Sequence, residues 1–118
     1  MPSADRPLRV LFIEDDPLDL ELVIANLREF GFQFEADTTK SRAGLLTLLD
    51  AHSYDLILSD YNMPGFDGMA ALRLVQERSA DTPFILVSGA VGEEIAIESL
   101  KAGATDYVLK DRLGRLGP

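Results

Sequence analysis

Acidic side chains follow two apolar segments of this 118-residue chain, in a pattern suited to binding a cation. Residues 56–58 form an apolar run that leads to Asp60, and residues 11–13 form another that leads to Glu14 and Asp15. Short apolar runs that stop at turn-forming residues are typical of buried strands. One aspartate at a strand end is more often an ordinary loop residue, but a second acidic strand end favours a shared site for a hard cation.

Two further apolar runs end in side chains that suit a phosphoryl group. Residues 84–87 lead to the hydroxyl of Ser88, and residues 107–109 lead to the ammonium group of Lys110. The carboxyl ends of parallel strands line one crevice, so these groups are expected near Asp60. Clustered carboxylates need a counter-charge to stay ionised, and Mg²⁺ combines with one or two carboxylates and a phosphate oxygen. The pattern therefore predicts a phosphoryl site beside Mg²⁺.

Strands and helices that alternate along the chain must position these groups. We predict strands at 10–13, 32–36, 54–59, 84–87 and 107–109, with helices between them, the third at about 68–78 and the fourth at about 92–102. Asp16 and Pro17 predict the start of the first helix, with Leu18, Leu22 and Ala25 on its apolar face. The second helix should be capped by residues 38–41. This alternation favours a five-stranded, doubly wound parallel α/β sheet, with a fifth helix that begins after Lys110 and is cut short.

Composition excludes several other kinds of chemistry. The chain has no cysteine and one histidine, which leaves no thiolate site, disulfide or histidine cluster. A formal charge of −9 disfavours direct nucleic acid binding, and no apolar run approaches a membrane span. We expect a cytoplasmic domain over residues 9–118 after a flexible terminus at 1–8.

Taken together, these residues resemble the receiver domains of two-component response regulators and hybrid sensor histidine kinases. The resemblance rests on Glu14 and Asp15 after the first strand, residues 60–68 (Asp-Tyr-Asn-Met-Pro-Gly-Phe-Asp-Gly) after the third, Ser88 after the fourth, and Tyr107 with Lys110 at the fifth. It covers residues from about 9 to about 113. It implies a flavodoxin-like fold with strand order 2-1-3-4-5.

The same resemblance implies a role for each site residue. Asp60 is the implied phosphoacceptor, and Mg²⁺ (or Mn²⁺) is held by Asp60, Asp15, the backbone carbonyl of Asn62 and, through water, Glu14. Ser88 and Lys110 are implied to contact the phosphoryl group, and Ser88 and Tyr107 to form a switch. The implied partners are a histidine kinase or histidine phosphotransfer protein and a downstream protein or domain. The domain is then a phosphoacceptor and not a conventional enzyme.

Other interpretations stay open on sequence alone. A Mg²⁺-dependent phosphohydrolase with an aspartate nucleophile would need a second acid where Asn62 stands, and a flavin-binding module would be repelled by the acidic turn at 14–16. A receiver that only binds a partner is a further alternative. The parent protein is either a larger sensor or hybrid kinase or a stand-alone response regulator. Simpler roles are expected for Asp16 as a helix cap, Asp67 in a turn and His52 at a helix end, and Tyr107 is equally consistent with a core aromatic.

Overall fold

The computed structural model describes residues 7–31, 33–61, 63, 65–88 and 93–109. Nine elements alternate along them: β1 (Leu8–Ile13), α1 (Pro17–Glu29), β2 (Phe34–Thr39), α2 (Arg42–Ala51), β3 (Leu56–Asp60), α3 (Gly68–Arg78), β4 (Phe84–Ser88), α4 (Glu93–Lys101) and β5 (Asp106–Leu109). The expected fifth helix falls outside the described residues. Within these ranges, none of the helices has the length and apolar composition needed to cross a bilayer.

The five strands form one parallel sheet in the order β2-β1-β3-β4-β5. This arrangement confirms the predicted doubly wound α/β fold. Its central pair aligns Ile13 of β1 with Ser59 of β3, so the residues that follow each strand emerge side by side. The next pair aligns Asp60 with Val87, which places the end of β4 beside the end of β3.

Apolar side chains fill both faces of the sheet. On one face, the inward residues of β1, β3, β4 and β5 pack with α2 and α3, around side chains such as Leu45, Leu72 and Leu86 that are completely buried. On the other face, α1 packs through Val23 and Leu27. Burial on both faces explains why the central strands are continuous apolar runs and not alternating ones.

The start of α1 agrees with the sequence prediction. The side chain of Asp16 accepts hydrogen bonds from the backbone N–H groups of Leu18 and Asp19, and Pro17 occupies the first helical position. Gly31 follows the helix with φ of 85°, a conformation that glycine adopts without strain. The predicted cap at Asp16 is therefore confirmed.

The predicted apolar face of α1 was wrong. Leu18 is 74% exposed and Leu22 is 48% exposed, and Ala25 is also exposed. The helix turns its other stripe to the sheet, where Val23 and Leu27 are buried and Leu20 and Ile24 are partly buried. That stripe carries larger side chains at the i, i+3, i+4 and i+7 positions, so it buries more apolar area.

One further expectation needs correction. The second strand was predicted at 32–36, but β2 extends to Thr39 because residues 34–39 pair one for one with β1. Ser41, which lies in the segment predicted to cap the second helix, caps α2 by accepting from Gly44 N at 3.0 Å. On α4, Leu100 is 48% exposed, because the buried Ser99 and the half-buried Ala96 lie on the inner side of that helix.

Candidate functional site

Three carboxylates meet where β1 and β3 end. Oxygen atoms of Glu14, Asp15 and Asp60, one from each residue, all lie within 4.8 Å of one another. Asp60 is only 6% exposed, whereas Glu14 is half-buried and Asp15 is exposed. The predicted acidic cluster therefore exists, with one carboxylate in the protein interior and two at its rim.

The turn after β1 fixes the orientation of Glu14. One of its carboxylate oxygens accepts from the backbone N–H of Asp15 at 3.1 Å and from that of Asp16 at 3.2 Å. Two donors on one oxygen hold the side chain over its own turn. Asp16 instead caps α1, as expected, and is not a member of the cluster.

The donor set fits a hard divalent cation. Opposite oxygens in a Mg²⁺ octahedron lie about 4.2 Å apart, and larger cations space them further. The spacing within this cluster is at most 4.8 Å, so small side-chain rotations would bring the oxygens onto one ion. Oxygen ligands without sulfur or imidazole favour Mg²⁺ or Mn²⁺ over zinc.

Ser88 lies on β4, the strand next to β3, and Tyr107 lies on β5, the edge strand beyond β4. Ser88 ends β4 and is completely buried, and Tyr107 on β5 is 7% exposed. Burial raises the pKa of the Tyr107 hydroxyl, an interaction with the Ser88 hydroxyl opposes that rise, and the nearby Tyr61 and Asp60 add to it. Tyr107 is therefore close to the acidic site and turned inward.

The Tyr107 hydroxyl lacks a well-formed hydrogen bond among the residues that the structure describes. The Ser88 hydroxyl is close enough to influence the pKa of Tyr107, but the two hydroxyl groups do not form a well-formed hydrogen bond. A buried hydroxyl without a partner carries a desolvation cost of about 1–3 kcal/mol. Tyr107 is thus a core aromatic residue whose hydroxyl group lacks a hydrogen-bond partner among the described residues.

Two expected site residues, Asn62 and Lys110, lie outside the described residues, and their predicted roles stay predictions. The structure places the others as follows. Asp67 caps α3 by accepting from Ala70 N at 2.9 Å. His52 follows α2 at the opposite end of β3 from Asp60, so it is not part of the site.

Sequence reasoning missed two residues that contact the backbone of Asp60. Ser59 donates its hydroxyl to the Asp60 carbonyl oxygen at 3.0 Å, and Gly68 begins α3 directly against the same carbonyl. A serine before an aspartate and a glycine after a turn carry no specific signal on their own. Their contacts with Asp60 depend on how α3 packs against the end of β3, which is a tertiary contact.

Comparisons with known proteins show the family to which this chain belongs. Residues 10–116 match the sequence profile of the response regulator receiver domain. The chain belongs to this family, and it is therefore a receiver domain of two-component signalling.

Particular relatives come from several bacteria. The chain is 33% identical over 102 residues to response regulator protein FleR of Pseudomonas aeruginosa, covering 86% of this chain and 21% of FleR. It is 32% identical over 104 residues to the cell cycle transcriptional regulator CtrA of Caulobacter vibrioides, covering 87% of this chain and 44% of CtrA. The chain thus spans less than half the length of either relative.

A solved structure confirms the fold. The receiver domain of the Francisella response regulator 1452 superposes with a TM-score of 0.78 at 28% identity, over 92% of this chain and 89% of that one. Its similarity covers nearly the whole of both chains. The doubly wound sheet is thus the receiver fold.

Proposed function

We propose that this domain accepts a phosphoryl group on Asp60 and uses it to switch a protein-interaction surface. The observation that carries the proposal is the cluster of Asp60 with Glu14 and Asp15, within 4.8 Å, at the carboxyl edge of the sheet. Burial of Asp60 supports its role as acceptor, because an acyl phosphate formed there is partly shielded from water.

The chemistry is an in-line displacement at phosphorus. A carboxylate oxygen of Asp60 forms the new P–O bond while the P–N bond of a phosphohistidine breaks, and the imidazole nitrogen leaves with the electron pair and takes up a proton. Such transfers depend on positioning and charge stabilisation more than on covalent assistance. The carboxylate set would supply the positioning, and a cation held by it together with Lys110 would supply the charge stabilisation.

Mg²⁺, or Mn²⁺ in its place, would be held by Asp15, Asp60 and the backbone carbonyl of Asn62, with Glu14 acting through water. When bound, the ion neutralises charge on the carboxylates and on the phosphoryl oxygens. The two backbone hydrogen bonds to Glu14 support a fixed position at the rim of the site. This arrangement also relieves repulsion among the three carboxylates.

The remaining site residues act on the phosphoryl group and transmit its presence. The hydroxyl of Ser88 and the ammonium of Lys110 contact the phosphoryl oxygens. Once Ser88 turns toward the phosphate, its interaction with Tyr107 changes, and the Tyr107 hydroxyl gains a new hydrogen-bonding environment. The buried, incompletely paired state of that hydroxyl supports this coupling.

The phosphodonor is a histidine kinase or histidine phosphotransfer protein, and the output is a downstream protein or domain. A donor that reaches Asp60 must cover the acidic turn and the first turns of α1. Leu18 and Leu22 are exposed there and offer such a donor apolar contact. We further propose that the parent protein is a larger sensor or hybrid histidine kinase, with a stand-alone response regulator as the alternative.

Intact mass measurement after incubation with acetyl phosphate tests the proposal. We expect one phosphoryl adduct on the wild type that requires Mg²⁺ or Mn²⁺, and its loss in Asp60→Asn. The matched control is Asp67→Asn, which alters an aspartate that caps α3 and keeps an acceptor for Ala70 N. A wild type that stays unmodified with acetyl phosphate and also fails to bind beryllofluoride with Mg²⁺ would refute the proposal.

A further inference from the structure

The first residue of α3 lies directly against the backbone of Asp60. Gly68 N donates to the carbonyl oxygen of Tyr61 at 2.9 Å, which closes the loop that follows β3. A Cβ atom at position 68 would lie 2.7 Å from the carbonyl oxygen of Asp60 and 2.9 Å from Cα of Tyr61. It would also collide with a methyl group of Leu86. A side chain at this position therefore requires neighbouring atoms, including the backbone at Asp60, to shift.

The same carbonyl is held from a second direction. The hydroxyl of Ser59, which is 1% exposed, donates to the carbonyl oxygen of Asp60 at 3.0 Å. On the far side of the junction, Tyr61 N donates to the carbonyl of Val87 on β4 at 3.1 Å. The peptide unit that follows Asp60 is therefore fixed by β4, by the preceding hydroxyl and by the start of α3.

We propose that Gly68 and Ser59 are positioning residues that set the direction of the Asp60 carboxylate. This inference rests on the phosphoacceptor role proposed above. A methyl group at position 68 would need more than about half an ångström of backbone displacement to reach ordinary van der Waals separation. Because the carbonyl and the side chain share one Cα, that displacement also moves the carboxylate.

In-line attack is sensitive to displacements of this size. Misplacing a reacting group by about 1 Å can cost roughly a hundredfold in rate, so half that shift predicts a loss of about tenfold. Overall folding need not be lost, because α3 keeps its Asp67 cap and its buried face. The expected signature is a slower maximal rate with little change in the Mg²⁺ concentration for half-maximal rate.

Packing against Leu86 offers a purely structural alternative, and it can be separated experimentally. Leu86→Val alters the same packing contact without touching the Asp60 carbonyl. We would compare Gly68→Ala, Leu86→Val and the double variant by phosphorylation rate with acetyl phosphate, corrected for the folded fraction from circular dichroism. If Gly68 positions the Asp60 carboxylate, the phosphorylation rate falls about tenfold in Gly68→Ala and by the same factor in the double variant. The rate of Leu86→Val then stays close to that of the wild type.

Ser59→Ala is the second test, in case Gly68→Ala fails to fold. We expect its maximal rate to fall about fivefold, whereas Ser79→Ala, which removes a serine hydroxyl bonded to Thr82 at 2.6 Å, keeps the wild-type rate. The inference would be overturned if the rate of Gly68→Ala lay within about twofold of that of Leu86→Val and the rate of Ser59→Ala within about twofold of that of Ser79→Ala. A wild type that is not phosphorylated at all would instead refute the proposed function, so the two failures are distinguishable.

Discussion

The hydroxyl of Tyr54 donates a 2.8 Å hydrogen bond to the carboxylate of Asp37. The bond joins the segment before β3 to the middle of edge strand β2. Arg9 on β1 pairs with the same carboxylate at 3.4 Å and with Glu35 at 3.0 Å, so one polar cluster connects β1, β2 and the segment before β3. It lies away from the acidic site and stabilises the attachment of the edge strand.

Replacing Tyr54 with phenylalanine should lower the free energy of unfolding by about 1 kcal/mol. The substitution removes the hydrogen bond to a charged acceptor, while Arg9 continues to pair with the half-exposed carboxylate. Urea denaturation monitored by circular dichroism measures the change. Tyr107→Phe is the matched control, because its hydroxyl lacks a well-formed hydrogen bond in the described part of the chain. Equal destabilisation by both variants would contradict this account.

Stability should also fall at alkaline pH. Burial and the Asp37 hydrogen bond raise the pKa of Tyr54, and burial raises that of Tyr107. Groups with a raised folded-state pKa stabilise the protein fully below their unfolded pKa of about 10, and this stabilisation is lost as pH rises through the folded values. Each such tyrosine contributes a slope of about 1.4 kcal/mol per pH unit in that window.

Denaturant unfolding between about pH 8 and about pH 11 checks this dependence. Tyr54→Phe should lose stability less steeply than the wild type over the same window. Lysine deprotonation affects both proteins equally, so the difference isolates Tyr54. Parallel pH profiles for the two proteins would contradict the assigned role.

Coupling between Tyr107 and the phosphorylation site predicts a ligand-dependent effect. Beryllofluoride with Mg²⁺ mimics the phosphoryl group and should stabilise the wild type more than Tyr107→Phe, by about 1 kcal/mol. In the proposed switch, the phenolic hydroxyl gains hydrogen bonding when Ser88 turns to the ligand. Thermal unfolding with and without beryllofluoride measures the difference, and equal shifts would exclude a switch through this hydroxyl.

Exposed leucines on α1 predict a defect that is specific to a protein donor. Leu22→Lys should leave labelling by acetyl phosphate unchanged but slow transfer from a histidine kinase that labels the wild type, by about tenfold. The matched control is Leu100→Lys on α4, because both leucines are 48% exposed. Equal transfer rates in the two variants would remove α1 from the docking surface.

Much of this structure could be predicted because the decisive signals were local. Asp16 with Pro17 predicts the start of α1 from cap chemistry alone, and the apolar runs before Asp60 and Ser88 predict buried strand ends. Since all strands are parallel, their tips had to share one edge, which brings Glu14 and Asp60 together without knowledge of side-chain contacts.

The errors and omissions arise from tertiary contacts. Two stripes of α1 are apolar, and only packing on the sheet decides that Val23 is buried while Leu18 is exposed. The extent of β2 depends on its pairing with β1, and the roles of Gly68 and Ser59 depend on how α3 approaches Asp60. A short stretch of sequence does not specify helix packing, strand pairing or the approach of one element to another.

The most direct test locates the phosphoryl group in the chain. Reduction of an aspartyl phosphate with borohydride converts that aspartate to homoserine, which peptide mass mapping identifies by position. After incubation with acetyl phosphate and Mg²⁺, we predict homoserine at position 60 and at no other acidic residue. Conversion at Asp15 or Asp67 instead, or a borohydride-resistant phosphate on Ser59 or Ser88, would contradict the central claim that Asp60 is the acceptor.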